Sequence, residues 1–252
     1  MPICVGVDGC KAGWIAVSRN NGGEIETRIH RTFEALVAHY PHDAIIAVDM
    51  PIGLPDRIEG GGRGPEMLVR KHLGQRQSSV FSIPSRAAVY AATDPFTTLD
   101  KWYDDHRKAS GIAKATSIPP RGVSIQAFAL FAKIREIDAL LIAWPDLQGR
   151  IIESHPEAAF WRLNGEQHMA LPKKVKGRVS PAGMDERRVL LARCGIDRAA
   201  LKAPCPRGAG ADDFLDACAV FLVAERFAAG KAVPFPDPPL KDAHGVQIAI
   251  WT

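Results

Sequence analysis

Residues 3–30 read ICVGVDGCKAGWIAVSRNNGGEIETRIH, and their pattern sets the architecture of the chain. An apolar, β-branched run is followed by turn residues, a second apolar run, a Gly-rich turn and an alternating run. This pattern predicts strands over 2–7, 14–18 and 24–30 that are joined by two short hairpins. The chain therefore begins with three antiparallel strands in succession.

Helices and strands alternate in the rest of the chain. Thr32 is a capping residue, and it predicts a helix that runs to about residue 40. Apolar runs at 44–48 and 149–153 predict a fourth and a fifth strand. Further helices are predicted near 124–141, 157–164, 183–194 and 212–229. This order is typical of an α/β fold in which a mixed five-stranded sheet carries helices on both faces.

The segment 52–121 differs from the rest of the chain. It is rich in Gly, Pro, Arg and Ser, and its hydrophobic periodicity is weak, with short helices predicted only near 66–73 and 85–93. We interpret it as an insertion or lid that follows the fourth strand. The whole chain, 1–252, is then one domain that contains this insertion.

Composition limits the class of protein. The 252 residues include 32 Lys and Arg against 28 Asp and Glu, and the resulting charge of +4 is too small to indicate nucleic-acid binding by itself. The five cysteines have no CxxC spacing, which favours free thiols in a reducing compartment. No signal peptide and no apolar run of membrane-spanning length is apparent. We expect a cytoplasmic protein without a membrane partner.

Carboxylates stand where several hydrophobic elements end or where a helix begins. A carboxylate next to a buried run is costly unless another group offsets its desolvation. Because the carboxyl ends of neighbouring strands meet at one edge of an open α/β sheet, such side chains are expected to lie together. The residues concerned are Asp8, Asp49, Glu153, Glu157, Asp212, Asp213 and Asp216.

This acidic set predicts a site for Mg²⁺ or Mn²⁺. Two ions about 4 Å apart activate a water and stabilise the leaving oxygen of an in-line displacement, which favours a phosphodiester hydrolase. Most of these residues also have a simpler interpretation. Asp8 caps a turn, and Glu153 and Glu157 bridge surface cations. Asp212, Asp213 and Asp216 add favourable charge at the start of the last helix, or Asp212 caps that helix.

Basic and hydroxyl side chains in the insertion predict a clamp for a substrate phosphate next to the metals. They are Arg70, Arg76, Ser78, Ser79 and Arg86. The alternative is a solvated helix face with ion pairs to Glu66. Lys174, in the basic loop 173–178, is a second predicted phosphate contact or part of a flexible charged loop. His155 is a general base, a metal ligand or a hydrogen-bonded structural residue.

Five motifs resemble an uncharacterised prokaryotic family, the one numbered four-two-nine among the domains of unknown function. They are GVDGCKAGW, AVDMPIGLP, RQSSVFSIPSR, ESHPEAAF and ADDFLDACAVF, and the similarity extends from Val5 to about Gly230. The resemblance implies a ribonuclease-H-like fold and a nuclease activity.

A wider similarity is to the Holliday-junction resolvase RuvC, in which four acidic residues hold two magnesium ions. The resemblance implies these roles for Asp8, Asp49, Asp213 and Asp216. The acid on the fourth strand is Glu in RuvC and Asp49 here, which shortens its reach. The segment 52–121 has no counterpart in the small resolvase, so the resemblance does not define the substrate.

Three functions compete at this point. The first is a two-metal nuclease that acts on DNA or RNA. The second is a nucleotide phosphotransferase of the actin-like fold, because Asp8, Gly9 and Gly13 are similar to a phosphate loop, although no second loop follows. The third is a non-catalytic protein that binds a metal or a nucleic acid. The apolar tail 246–251, which contains Trp251, predicts either a homodimer contact or an added edge strand.

Overall fold

The structure, a computed structural model, describes residues 2–252. Its first part contains the three antiparallel strands and the capped helix that the sequence predicts. The Thr32 side chain accepts a hydrogen bond from the Ala35 amide at 3.1 Å and so starts the helix. A fourth strand then pairs in parallel with the first. These elements are β1 (Cys4–Cys10), β2 (Gly13–Arg19), β3 (Ile25–His30), α1 (Phe33–His39) and β4 (Ile45–Val48).

The segment 52–121 is more ordered than its weak periodicity indicates. Its two short strands pair with each other in parallel, and its longest helix has 17 residues, of which only Ala109 and Ala113 are buried. With so few buried residues, the sequence of this helix shows few apolar residues at a helical spacing. The helix is therefore not predicted from the sequence. The elements are β5 (Ile58–Glu59), α2 (Pro65–Arg70), a 3₁₀ helix (Gly74–Ser79), α3 (Arg86–Val89), α4 (Leu99–Ala115) and β6 (Ser117–Ile118).

The C-terminal part alternates between helices and strands and ends in a hairpin. The helix predicted over 124–141 is divided at Leu130. The elements are α5 (Ile125–Ala129), α6 (Phe131–Ala143), a 3₁₀ helix (Pro145–Gly149), β7 (Ile151–Glu153), α7 (Pro156–Leu163), β8 (Lys174–Val175), β9 (Arg178–Val179), α8 (Pro181–Arg193), α9 (Arg198–Lys202), α10 (Ala211–Ala228), β10 (Pro234–Lys241) and β11 (Gln247–Trp251).

The apolar tail pairs within the chain. β11 forms an antiparallel hairpin with β10, and a parallel bridge joins Trp251 to Ser154, just after β7. The Trp251 ring packs edge-on against Phe227, with ring centroids 4.8 Å apart.

The central sheet has the strand order β3-β2-β1-β4-β7 and is mixed, as predicted. Successive residues of β4 point to opposite faces. Ile46 and Val48 join a core that includes Ile134 of α6, whereas Ala47 joins a second core that includes Phe221 of α10. Helices therefore cover both faces. Among the helices in residues 2–252, none combines the length and low charge that a membrane span requires.

Gly6 sets the distance between α10 and the sheet. A Cβ atom at this position would overlap the carbonyl oxygen of Ala217 and would lie 2.5 Å from the Cα of Phe221. Only a residue without a side chain lets the helix pack directly on β1. This close packing places Asp216, the neighbour of Ala217, beside the end of β1.

Candidate metal centre

Three carboxylates from distant parts of the chain meet at one edge of the sheet. β1 and β4 pair with each other as far as Val7 and Val48, and Asp8 and Asp49 are the residues that follow this last pair. Asp8 still lies within β1, which pairs with β2 as far as Cys10. Asp216 lies in the second turn of α10. One oxygen from each carboxylate lies within 4.8 Å of the other two. We refer to Asp8, Asp49 and Asp216 as the acidic triad.

The electrostatics of the acidic triad favour a bound cation. Burial, followed by repulsion from Asp49 and Asp216, raises the pKa of Asp8 well above its usual value. Burial and the charge of Asp216 raise the pKa of Asp49 in the same way. Asp216 is only 3% exposed, and its Oδ1 has no hydrogen-bond partner. Three hard oxygen donors with an unpartnered oxygen fit Mg²⁺ or Mn²⁺.

Lys173 supplies one positive charge to this cluster. Its ammonium group donates a hydrogen bond to Oδ2 of Asp216. Burial is the largest single effect and opposes the charge on Lys173, but the charge and the hydrogen bond of Asp216, together with the charges of Asp8 and Asp49, raise the pKa of the lysine. One ammonium group offsets only part of the charge of three carboxylates, and the acidic triad therefore retains an excess of negative charge.

Asp213 and Asp212 have other partners at the start of α10. The N-cap residue, Gly210, has no side chain, and its amide donates to Oδ2 of Asp213 at 2.8 Å. Of the two predicted roles of Asp212, the cap is wrong, because Asp213, the third residue of the helix, accepts the hydrogen bond from the Gly210 amide. Asp212 lies in the first turn and pairs with Lys174 at 2.5 Å. Burial is the largest single effect and opposes the ionised form of Asp212, yet the hydrogen bond to Lys174 and the charges of Lys174 and Lys173 together lower its pKa. Burial raises the pKa of Asp213.

Glu153 is held by a buried arginine. Arg63 donates to its two oxygens at 2.7 and 3.0 Å, and the Ile52 amide donates at 2.7 Å. The Nε of Arg63 also donates to Glu66 at 2.8 Å. The interpretation of Glu153 as one half of a surface ion pair is wrong, because the side chains of both partners are at most 5% exposed.

Glu157 has a similar arrangement in α7. The fully buried Arg187 donates to its Oε1 at 2.5 Å and also donates to the carbonyls of Leu171 and Gly183. The surface interpretation is wrong here as well. The other oxygen, Oε2, is buried and has no hydrogen-bond partner. Glu157 lines the same cavity as the acidic triad.

His155 is a structural connection between α7 and the segment 52–121. Its Nδ1 accepts a hydrogen bond from the Glu157 amide at 3.2 Å. The Nε2 therefore carries the proton and faces the Ser79 carbonyl at 3.3 Å. Burial lowers the pKa of His155 to about 4. With both ring nitrogens engaged, the side chain fixes the position of Ser79.

The predicted phosphate clamp is only partly at the acidic triad. The triad opens into a cavity of about 410 Å³, and Ser79 and Lys174 line it. The other members of the predicted clamp do not line it. Ser78 is exposed on the 3₁₀ helix, and Arg76 donates to its neighbour Gln75 at 3.2 Å. The remaining two members are Arg70 and Arg86.

Arg70 and Arg86 hold the segment 52–121 together and attach it to the core. Arg70 donates twice to the Val80 carbonyl, at 2.7 and 3.0 Å. Arg86 pairs with Asp138 of α6 and, at 2.7 Å, with Asp242 after β10. Intramolecular partners thus occupy both guanidinium groups, which explains why they are not directed toward the acidic triad.

Arg63, Phe81 and Lys133 are among the residues that line the cavity without having been predicted from the sequence. The Nζ of Lys133 donates to the Gly13 carbonyl at 2.5 Å and lies 4.3 Å from the centre of the Trp14 ring. Burial lowers its pKa. Its position in an amphipathic helix gives no sign of this role. The motif RQSSVFSIPSR contains Phe81, but only the charged and hydroxyl residues of this motif were predicted to contact a ligand.

Comparison with known proteins gives one match. The model of a family described as "Protein of unknown function (DUF429)" matches residues 6–241. No curated protein matches the chain. No solved structure matches it either.

Proposed function

This chain belongs to the DUF429 family, and for it we propose a divalent-metal-dependent hydrolysis of phosphodiester bonds at the acidic triad. The observation that carries this proposal is the meeting of Asp8, Asp49 and Asp216, with oxygens within 4.8 Å of one another. Three adjacent carboxylates, of which Asp8 and Asp216 are buried and Asp49 is half-buried, destabilise a fold unless a cation binds them, because each raises the free energy of the others.

The residues at the cavity have different roles in this proposal. Asp8, Asp49 and Asp216 hold Mg²⁺ or Mn²⁺. Such an ion supplies Lewis acidity at a phosphoryl oxygen and lowers the pKa of a water molecule. Lys173 and Lys174 attract and orient the phosphate of the substrate by charge. His155 positions the cavity wall and takes no part in proton transfer, because both of its ring nitrogens are engaged.

A two-ion mechanism requires Asp213 as an additional metal ligand. This carboxylate lines the cavity, but its Oδ2 accepts the Gly210 amide. In the two-ion form, Asp213 and Asp216 would hold the second ion. A titration that reaches two Mn²⁺ ions per chain in the wild type and one in Asp213→Asn would support this form. One ion in both proteins would exclude it.

Hydrolysis assays test the proposal directly. The purified chain is incubated with Mn²⁺ or Mg²⁺ and bis(p-nitrophenyl) phosphate, and with DNA and RNA in single-stranded and duplex form. Asp8→Asn, Asp49→Asn and Asp216→Asn are each expected to lose activity by more than about 100-fold, the upper end of the loss caused by removing a group that only supports a ligand.

Asp185→Asn is the matched control. This carboxylate lies on α8, its side chain is 71% exposed, and it does not line the cavity. Its activity is expected to equal that of the wild type. Circular dichroism shows whether each variant is folded. Wild-type rates in the three triad variants, or no hydrolysis of any substrate by the wild type, would overturn the proposal.

A second candidate is a protein that binds metal without catalysis. The observation that favours it is the state of the nearby glutamates. Glu153 and Glu157 are both paired with buried arginines, and such pairing disfavours a role as a general base. If this candidate is correct, the wild type binds Mn²⁺ but hydrolyses no diester, and the triad variants no longer bind Mn²⁺.

A further inference from the structure

The cavity beside the acidic triad has a charged part and an apolar part. The triad and the lysines form the charged part. The apolar lining comes from Met50 after β4, from Val80, Phe81 and Ile83, and from Leu130 between α5 and α6. A volume of about 410 Å³ lies within the range of about 300–1,000 Å³ that is typical of sites for one small ligand. A single phosphate would leave the apolar part empty.

Phe81 is held in place at this wall. Arg70 donates to the carbonyl of Val80, which precedes Phe81, and at 2.8 Å to the hydroxyl of Ser82, which follows it. His155 contacts the carbonyl of Ser79, two residues before Phe81. The backbone before and after Phe81 is therefore fixed, and its side chain is only half-buried. Within residues 2–252, no aromatic ring and no cation packs on the Phe81 ring.

The cations of the cavity are few. Arg63 is occupied by Glu66 and Glu153, and Arg70 and Arg86 are bound elsewhere. Lys133, Lys173 and Lys174 are the remaining cationic side chains of the lining. A long duplex is held by many contacts to its phosphates, whereas three lysines match one or two phosphates.

We propose that this cavity binds a single unpaired nucleotide, whose base stacks on Phe81 while its phosphodiester lies at the acidic triad. The inference rests on the proposed function for the role of the triad. In a duplex each base is stacked and paired, and it reaches an apolar cavity only after it is unpaired. The substrate class is therefore a dinucleotide or an unpaired strand, and a paired duplex is excluded.

A binding experiment tests the stacking contact without requiring hydrolysis. The probe is a dinucleotide that contains 2-aminopurine, whose fluorescence falls when it stacks on an aromatic ring. With Mn²⁺ present, the wild type is expected to quench it. Phe81→Ala should raise the dissociation constant about tenfold and abolish the quenching, and Phe81→Trp should restore both. The control, Phe96→Ala, removes a 65% exposed ring of the same segment that does not line the cavity.

A kinetic experiment tests the choice of substrate. The substrates are a dinucleotide, a short unpaired strand, the same strand in a duplex and an abasic strand. Rates on the dinucleotide and the unpaired strand are expected to exceed the rate on the duplex. Phe81→Ala should raise KM for the base-containing strands with little change in kcat, and it should leave the abasic strand unaffected.

The outcomes separate the two proposals. Hydrolysis that is as fast on the duplex as on the unpaired strand, or a Phe81→Ala variant with unchanged KM and quenching, would overturn the nucleotide pocket and leave the hydrolase intact. Quenching that depends on Phe81, without hydrolysis of any substrate, would support the pocket and overturn the hydrolase. Equal preference for the dinucleotide and the unpaired strand identifies the nucleotide unit itself as the ligand.

Discussion

Lys173 donates a hydrogen bond to Asp216 inside the acidic triad, where a divalent cation is proposed to bind. The ammonium group and the ion attract the same carboxylate, so their binding is coupled. Without metal, Lys173 stabilises Asp216 by charge. With metal, the ion and the ammonium group act on the same carboxylate, because Lys173 contacts Oδ2 of Asp216 while Oδ1 has no partner. The charge of Lys173 therefore opposes the binding of the ion.

Removal of this lysine is expected to strengthen metal binding. In Lys173→Gln the ion no longer competes with an ammonium group, and the affinity for Mn²⁺ should rise on the order of tenfold. The metal-free variant should unfold at a lower temperature, because Asp216 loses its partner. Calorimetric titration with Mn²⁺ and thermal unfolding in EDTA measure the two effects.

Lys174→Gln is the control for this prediction. Its partner is Asp212, which lies outside the acidic triad, and the Lys174 side chain is 47% exposed. Screening by solvent keeps such a pair weak, so both metal affinity and stability should change little. Equal Mn²⁺ affinity in the wild type and in Lys173→Gln would contradict the proposed competition.

Asp49→Asn is expected to stabilise the metal-free protein in a pH-dependent way. The pKa of Asp49 in the folded chain lies above its unfolded value of 3.8. The folded state therefore binds the proton more tightly, and stability is lost as pH rises from about 4 through the folded pKa. The variant does not titrate here, so its stability advantage in EDTA should grow over this interval, by about 1.4 kcal/mol for each unit by which the two pKa values differ.

The control for the titration is Asp212→Asn, for which the opposite sign is expected. The pKa of Asp212 is lowered, so its pair with Lys174 stabilises the fold above the unfolded value and this contribution disappears as pH falls. Urea unfolding between about pH 4 and pH 8 distinguishes the two variants. If Asp49→Asn is less stable than the wild type at neutral pH in EDTA, repulsion within the triad does not outweigh the favourable contacts of the Asp49 carboxylate.

Much of this site follows from local sequence, and the rest depends on distant partners. Asp8 and Asp49 each follow a buried apolar run, so their placement side by side, just after the last residues that pair β1 with β4, is predictable from the pattern. Arg86 is not predictable in this way, because Asp138 and Asp242 lie 52 and 156 positions away. A buried arginine and a phosphate-binding arginine look the same in sequence.

The two adjacent lysines show a second limit. Lys173 and Lys174 are consecutive, and the sequence analysis selected Lys174 as a phosphate contact. In the structure they pair with different carboxylates of α10, Lys173 with Asp216 and Lys174 with Asp212. Their different partners depend on how the chain between α7 and α8 packs against α10, which no local pattern encodes. The same holds for Asp213, which caps α10 because its N-cap residue is a glycine.

Glu157→Gln is expected to lower stability strongly. Its partner Arg187 has no exposed surface, and loss of one member of a buried ion pair typically costs about 3–5 kcal/mol. Urea unfolding measures this loss. Glu157→Gln/Arg187→Met, in which the arginine is also removed, should recover part of it. Asp185→Asn, in an exposed pair, should cost less than about 1 kcal/mol.

The same variant tests the catalytic role that the sequence predicts for Glu157. Its Oε2 has no partner, and the residue lines the cavity near the acidic triad. If the double variant is stable and still hydrolyses diesters at the wild-type rate, Glu157 is structural. A stable variant that has lost activity would make Glu157 a catalytic residue.

Gly6→Ala is expected to disrupt the site although residue 6 has no functional group. The new methyl group would overlap the Ala217 carbonyl and the Phe221 backbone, so α10 must move away from β1. The shift separates Asp216 from Asp8 and opens the core on this face of the sheet, and overpacking of this kind costs about 1–3 kcal/mol or more. Both Mn²⁺ affinity and thermal stability should fall.

Gly111→Ala is the control, because residue 111 lies in α4, is exposed, and a Cβ there meets no atom within 4 Å. In a helix interior this change should stabilise the protein by about 0.5–1 kcal/mol and leave Mn²⁺ affinity unchanged. If Gly6→Ala binds Mn²⁺ as tightly as the wild type, the position of α10 on β1 does not determine the geometry of the acidic triad.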